Sequence, residues 1–250
     1  MTRFTGADDL RGATFTGVSL RGARIAESDL GEVKIRGSEV GGMDVDAPWL
    51  GEGTFVVNGV DVVAFVEAEL DRRFPGRSER QATSPEALRA AWAKVEAAWE
   101  AAIARAEAMP AGTVDVSIDG EWSFAQTLRH LVMATDMWLG GPVLGREEPF
   151  HPVGLPYVEP GGQIDLTVFS NTDPTWAEVL EARADRVALV RDLLADATEA
   201  DLDVETRNPH NPDHPETTRS CVHTVLEESW EHLRFALRDL DAIEARDDAG

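Results

Sequence analysis

The first fifty residues carry a period that neither a helix nor a strand has. Counting in fives from Leu10, every stop is a large apolar residue: Leu10, Phe15, Leu20, Ile25, Leu30, Ile35, Val40 and Val45. Glycine recurs two places later, at Gly12, Gly17, Gly22, Gly37 and Gly42, and small residues sit two places earlier, as Ala13, Ala23, Ser28 and Ser38. Helical faces repeat every 3.6 residues and strand faces every 2.0. A period of five requires a chain that turns a corner every five residues and sends one apolar side chain inward each time. Fixed periods of this kind mark repeat architectures.

This register resembles the pentapeptide-repeat family, over about residues 4–46. The resemblance implies a right-handed four-sided β-helix with four repeats per coil. The later repeats drift, with Val33, Val40 and Met43 in place of the consensus. Eight repeats make two coils, a stub about 10 Å tall at an interstrand spacing of about 4.8 Å. Long acidic rods of this family can mimic duplex DNA, and the chain is acidic: 46 acidic against 23 basic residues, a net charge of -23. A stub of that height matches only about three base pairs at about 3.4 Å each, which makes mimicry the weakest reading. The same charge argues against binding nucleic-acid phosphates or anionic lipid through bulk attraction. Residues 1–46 hold eight acidic and six basic residues, so nearly all of the excess lies further on. Lys34 and Lys94 are the two lysines among the basic residues, which together with the alanine content suggests a high-GC genome. No apolar run reaches the roughly 18 residues of a membrane span. The N-terminus, MTRFTGADDL, lacks the apolar stretch of a signal peptide, and the single cysteine, Cys221, rules out an internal disulfide, so cytoplasmic residence is expected.

Residues 47–83 read as a segment that closes the stub, whose last coil would otherwise present an unpaired edge. Thr54–Val57 reads as a strand and Asn58-Gly59 as a turn. Asp61 reads as a cap for a helix with the stripe Val62, Phe65, Val66 and Leu70. Pro75-Gly76 ends that helix and Arg77–Thr83 reads as a linker. Residues 84–250 then read as a four-helix bundle, making the chain mainly α with a small β part. Ser84-Pro85 starts the first bundle helix, which runs to Met109 with Leu88, Trp92, Val95, Trp99 and Ile103 inward. The second starts near Ser123, carries Phe124, Leu128, Leu131, Thr135 and Trp138, and ends at Gly140-Gly141. The third spans Thr175–Ala197 with Val179, Ala182, Val187, Val190 and Leu194 inward; the fourth spans Thr217–Ala245 with Val222, Val225, Leu226, Leu233, Leu237 and Leu240. The connections 142–174 and 203–216 are long and proline-rich, as functional loops often are.

Among six histidines, His130 sits within the second bundle helix and His232 within the fourth, four residues after Glu228. That spacing puts Glu228 and His232 on one helix face, a turn apart. Two imidazoles and a carboxylate from facing helices suit a divalent transition metal with open positions. The same residues serve a bundle without metal, with His130 a hydrogen-bonded core histidine and Glu228 paired to Arg234 or to solvent. Gly120–Leu131 with Ala134–Trp138, and Val225–Ala236, resemble two helices of the DinB-like superfamily, over about residues 84–245. That resemblance implies a four-helix bundle related to metal-dependent thiol transferases and mycothiol-dependent isomerases. It implies a zinc or nickel ion, with iron a third candidate, mycothiol as co-substrate, a small-molecule substrate and pairing into homodimers. An N-terminal pentapeptide segment before such a bundle resembles a set of actinobacterial proteins.

The chain departs from that family at one ligand. The usual last helix carries two histidines four apart, and here Glu228 stands before His232. A slip of one residue would bring Ser229 and Leu233 to the site, and no metal would be held. The candidate ligands are therefore His130, Glu228 and His232. Asp136 and Glu227 are candidates to orient a ligand or take a proton, or else carboxylates that are solvated or paired along a helix. His223 lies more than two turns from His232. His151, His210 and His214 fall in loops as polar residues or a pocket mouth. Cys221, in the first turn of the last helix, is either activated by the helix dipole or a small buried side chain. Trp122, Trp138, Trp176 and Trp230 suit core packing or a pocket wall. Besides a metal-dependent enzyme, the sequence supports a non-catalytic scaffold: a degenerate bundle with the stub as a docking face.

Overall fold

The computed structural model describes residues 3–157, 164–211 and 213–247, and the chain divides into two compact units, Met1–Asp46 and Ala47–Gly250. In the first unit the corners fall where the sequence places them. Positive φ angles recur at Gly12, Gly17, Gly22, Glu27, Glu32, Gly37 and Gly42, an unbroken period of five. Glycine takes five of these seven positions because only it enters that region without a Cβ clash. Glu27 and Glu32 adopt it at φ 49° and 61° and carry the strain. Every second corner is closed by a main-chain bond between residues three apart: Ala13 N to Leu10 O, Ala23 N to Leu20 O, Val33 N to Leu30 O and Met43 N to Val40 O, at 2.9–3.2 Å.

The structure does not show the expected β-helix stub. No strand occurs among the described residues of this unit. The row that should point inward is exposed, from 43% at Leu10 to 62% at Ile25. The physical reason is length. A repeat buries its apolar row only against neighbouring repeats on both sides, and eight pentapeptides supply at most two coils, each lacking a partner on one face.

The second unit opens with a hairpin, β1 (Val56–Val57) against β2 (Val60–Asp61), turned by Asn58 and Gly59 at φ 50° and 86°. Two successive positive φ angles give the turn whose twist matches paired strands. The Asp61 carboxylate accepts from Val63 N at 3.1 Å, but the cap position of α1 (Val63–Arg73) falls on Val62, one residue later than the sequence suggested. Along α1, Val62, Val66 and Leu70 are half-buried, but Phe65 is 74% exposed, so the stripe read from the sequence is narrower than expected. The stretch 77–83 is not a free linker. Arg77 is buried and bonds Glu67 and Asp71 on α1 and Glu231 at 3.2 Å.

The bundle consists of α2 (Pro85–Ala108), α3 (Phe124–Thr135), α4 (Trp176–Ala195) and α6 (Thr218–Asp247), with the short α5 (Glu199–Leu202) before the last. Side chains cap the starts: Ser84 with Pro85 at the first position of α2, and reciprocal Ser123–Gln126 and Thr175–Glu178 boxes on α3 and α4. The core joins Leu88, Trp92, Val95 and Trp99 of α2 to Leu128 and Leu131 of α3, Val179 and Val190 of α4, and Val222, Leu226 and Leu233 of α6. Ile103, Val187, Leu237 and Trp138 pack at its margin. α3 ends in a π-helical turn, Asp136–Gly140.

Cross-helix partners fix the directions. Arg89 reaches Leu194 O and Trp176 reaches Glu107, so α2 and α4 are antiparallel. Trp99 Nε1 donates to Ser229 O and Arg105 bonds Asp241, so α2 and α6 are parallel. Phe124 meets Trp176, and Arg186 meets Asp136 just beyond α3, so α3 and α4 are parallel. Consecutive helices that run parallel need a connection as long as the bundle, which accounts for residues 141–175. In the other long connection a two-residue ladder, β3 (Glu205–Thr206) with β4 (Glu216–Thr217), brackets the proline-rich loop; Pro212 lies outside the described residues. No helix among the described residues is long and apolar enough to cross a membrane.

Candidate metal centre

α3 and α6 pack as antiparallel neighbours, and the site lies where they face each other. His130 projects from α3; Glu228 and His232 project from α6 one turn apart. His130 Nε2 lies 3.3 Å from Glu228 Oε2, and His232 Nε2 lies 3.1 Å from the same oxygen. One ligand atom from each of the three falls within 4.8 Å of the others. His130 is buried, while Glu228 and His232 keep partial access to solvent. The Trp122 ring lies 4.6 Å from the His130 ring and stacks at 6.0 Å over that of His232, while Phe235 flanks His232 at 5.7 Å. Trp122 and Phe235 thus wall the two imidazoles on the sides they face.

The outer nitrogen of His130 decides the electrostatics. His130 Nδ1 is 3.3 Å from the Leu155 carbonyl, an obligate acceptor, so Nδ1 carries the proton and donates. The Nε2 of a neutral ring then presents a lone pair to the Glu228 carboxylate, and two acceptors face each other. A cation among the three atoms resolves that conflict, as would a second proton on the ring. Burial opposes ionisation of Glu228, but the His130 and His232 imidazoles beside it outweigh burial and hold its carboxyl far below the usual carboxylate range. Burial pushes the His232 imidazole down from its ordinary value, against the pull of Glu228, which keeps the ring neutral and able to act as a ligand at pH 7. A compact set of two neutral imidazoles and one carboxylate is the donor chemistry of a divalent transition metal.

The alternative register is absent: Ser229 and Leu233 are buried in the core, with Ser229 Oγ donating to Val225 O. Asp136 and Glu227 do not join the cluster. Asp136 is fully buried, receives Arg186 through both oxygens at 2.7 and 3.0 Å, and accepts from His151 N. Burial raises its pKa, against the lowering effect of Arg186. Glu227 accepts from Gln81 and lies 3.9 Å from Arg80. His223 Nε2 donates to Ala82 O, His151 Nδ1 accepts from Val153 N, and His210 lies beside Trp138. Cys221 is buried and its thiol is pushed up to about 12 by burial and by Glu216, so the dipole does not activate it. Trp230 belongs to the core, Trp176 bonds Glu107, and Trp122 alone of the four tryptophans walls the site. The Leu155 carbonyl had no signal in the sequence, because a main-chain acceptor has no residue identity.

A family model described as the DinB superfamily matches residues 94–236, from within α2 to α6. Searches of curated proteins and of solved structures returned no match. The match covers more than half of the chain and contains all three ligand positions, so the chain belongs to the DinB superfamily, with a glutamate in the triad of side chains where α3 meets α6.

Proposed function

We propose that this protein is a metal-dependent enzyme of the thiol-transferase or isomerase type, with a divalent ion held by His130, Glu228 and His232. The observation that carries the reading is the convergence of two Nε2 atoms and one carboxylate oxygen, with a lone-pair conflict that a cation resolves. A zinc, nickel or iron ion bound there supplies Lewis acidity and lowers the pKa of a thiol or water that joins it. The chain's own residues hold the ring nitrogens toward the ion, wall one side with Trp122, and leave Glu228 and His232 partly open to a small-molecule substrate. Mycothiol is the proposed co-substrate, in a cytoplasmic homodimer. Asp136 and Glu227 are assigned to supporting the bundle around the site, since their hydrogen bonds go to Arg186, His151 and Gln81.

A second reading has its own support: the exposed apolar row from Leu10 to Val45 suits a docking segment on a non-catalytic bundle. Turnover separates the two. The enzyme reading expects zinc- or nickel-loaded protein to consume mycothiol in the presence of an electrophilic substrate, and His232→Ala to be inactive. Metal-loaded protein that leaves the thiol untouched across a panel of electrophiles contradicts the enzyme reading and leaves the docking one.

A further inference from the structure

We propose that Arg129 is a positioning residue for His130, acting through the main chain of residues 151–155. This rests on the metal reading of the site. Arg129 precedes His130 on α3 and is buried, at 9% exposure. Its guanidinium donates to three main-chain carbonyls in place of a carboxylate: Val153 O at 2.9 Å, Asn171 O at 3.2 Å and Thr172 O at 3.3 Å. Its own carbonyl accepts from Leu155 N at 3.1 Å, and Asn171 N bonds Pro152 O at 3.2 Å. The fork thus clips two passes of the connection together and against α3. A planar guanidinium does this because its donors are fixed in one plane, which a lysine ammonium cannot copy.

The clip ends at the site. Two residues beyond Val153, which the guanidinium holds, Leu155 offers the carbonyl that receives His130 Nδ1–H, while its own N–H donates to the main-chain carbonyl of Arg129. The far end of the same strap is fastened by Asp136, whose Oδ2 accepts from His151 N at 2.9 Å while Arg186 neutralises it. With the strap in place, the His130 proton stays on Nδ1 and the Nε2 lone pair faces Glu228 and His232. Without it, the proton can move to Nε2 and donate to Glu228, closing the cluster against a cation. Groups that orient a metal-binding histidine this way change metal affinity about 10- to 100-fold when removed.

The test uses the full chain and two variants, Arg129→Met and Arg129→Lys, with two readouts. One is the ring-nitrogen tautomer of His130 by nitrogen-15 NMR of metal-free protein; the other is cobalt(II) affinity by visible absorption. The wild type should show the Nδ1–H tautomer. Arg129→Met should shift the ring toward Nε2–H and weaken cobalt binding by about 10- to 100-fold, and Arg129→Lys should fall between. A folded Arg129→Met with unchanged tautomer and affinity overturns the proposal. Should that variant not fold, Arg129→Lys with both readouts unchanged overturns it. Wild-type protein that binds no cobalt contradicts the metal reading instead, and the tautomer comparison still decides the role of Arg129.

Discussion

At the scale of single residues, environment overrides identity. Cys221 sits in the first turn of α6, where a helix dipole lowers a thiol pKa, yet burial dominates and pushes it up to about 12 from an ordinary 9.0. The native thiol should therefore resist iodoacetamide at pH 8. The sign of its linkage follows: above pH 9 the unfolded chain releases this proton while the native state keeps it, so stability falls as pH rises from about 9 toward 12. The slope is about 1.4 kcal/mol per pH unit for one proton. Denaturant unfolding between pH 8 and 10.5 checks it, and Cys221→Ala should remove that share of the slope. An equal slope in both proteins would place the ionisation elsewhere. Arg183 shows the opposite imbalance. It is buried at 3% exposure, its three guanidinium nitrogens have no hydrogen-bond partner, and burial pushes its pKa down to about 10 despite the pull of Glu96. Arg183→Met should stabilise the protein by about 1–3 kcal/mol, because it removes a buried unpaired charge and keeps the volume. A lower melting temperature would show the guanidinium to be solvated inside the bundle. The clustering of His130, Glu228 and His232 was legible in part, since a histidine and a carboxylate four apart on a helix declare a shared face. Arg183 was not, because its position on α4 reads as one more charged residue on an amphipathic helix.

At the scale of elements, the helices followed from their apolar spacing and their caps. Leu88, Trp92, Val95 and Trp99 fall inward as read, and the Ser123 and Thr175 boxes start α3 and α4 where those residues stand. What spacing does not encode is direction. That α3 and α4 run parallel rests on pairs such as Asp136–Arg186, fifty residues apart, and only the length of the 141–175 connection hinted at it. The stretch after α1 is a second case. Polar composition reads as a linker, but Arg77 gathers Glu67, Asp71 and Glu231 and fastens α1 to α6 beside His232. Arg77→Ala should cost on the order of 2–3 kcal/mol, less than a fully buried network because its carboxylates keep some water. Hydrogen exchange should then show α1 amides exposed ahead of those of α2. Unchanged protection in α1 would assign its anchoring to Val66 and Leu70 instead.

At the scale of the whole molecule, two sequence signals of different kinds lead to two units with different physics. The period of five dictates corners, and the corners occur at every expected position; burial of the row between them depends on the number of coils, which a period alone does not supply. The bundle has enough length to close a core, and it brings His130, Glu228 and His232 together where α3 meets α6. The net charge of -23 lies mostly outside residues 1–46, on solvated helix faces, with Glu228 as the acidic residue placed to hold a cation. The most direct measurement is elemental analysis of protein purified without a metal-binding tag, reconstituted with zinc or nickel and dialysed. The account predicts about one ion per chain in the wild type and background levels in His130→Ala and His232→Ala, with metal raising the melting temperature of the wild type alone. Background metal in the wild type after reconstitution, or equal metal in all three proteins, would contradict it.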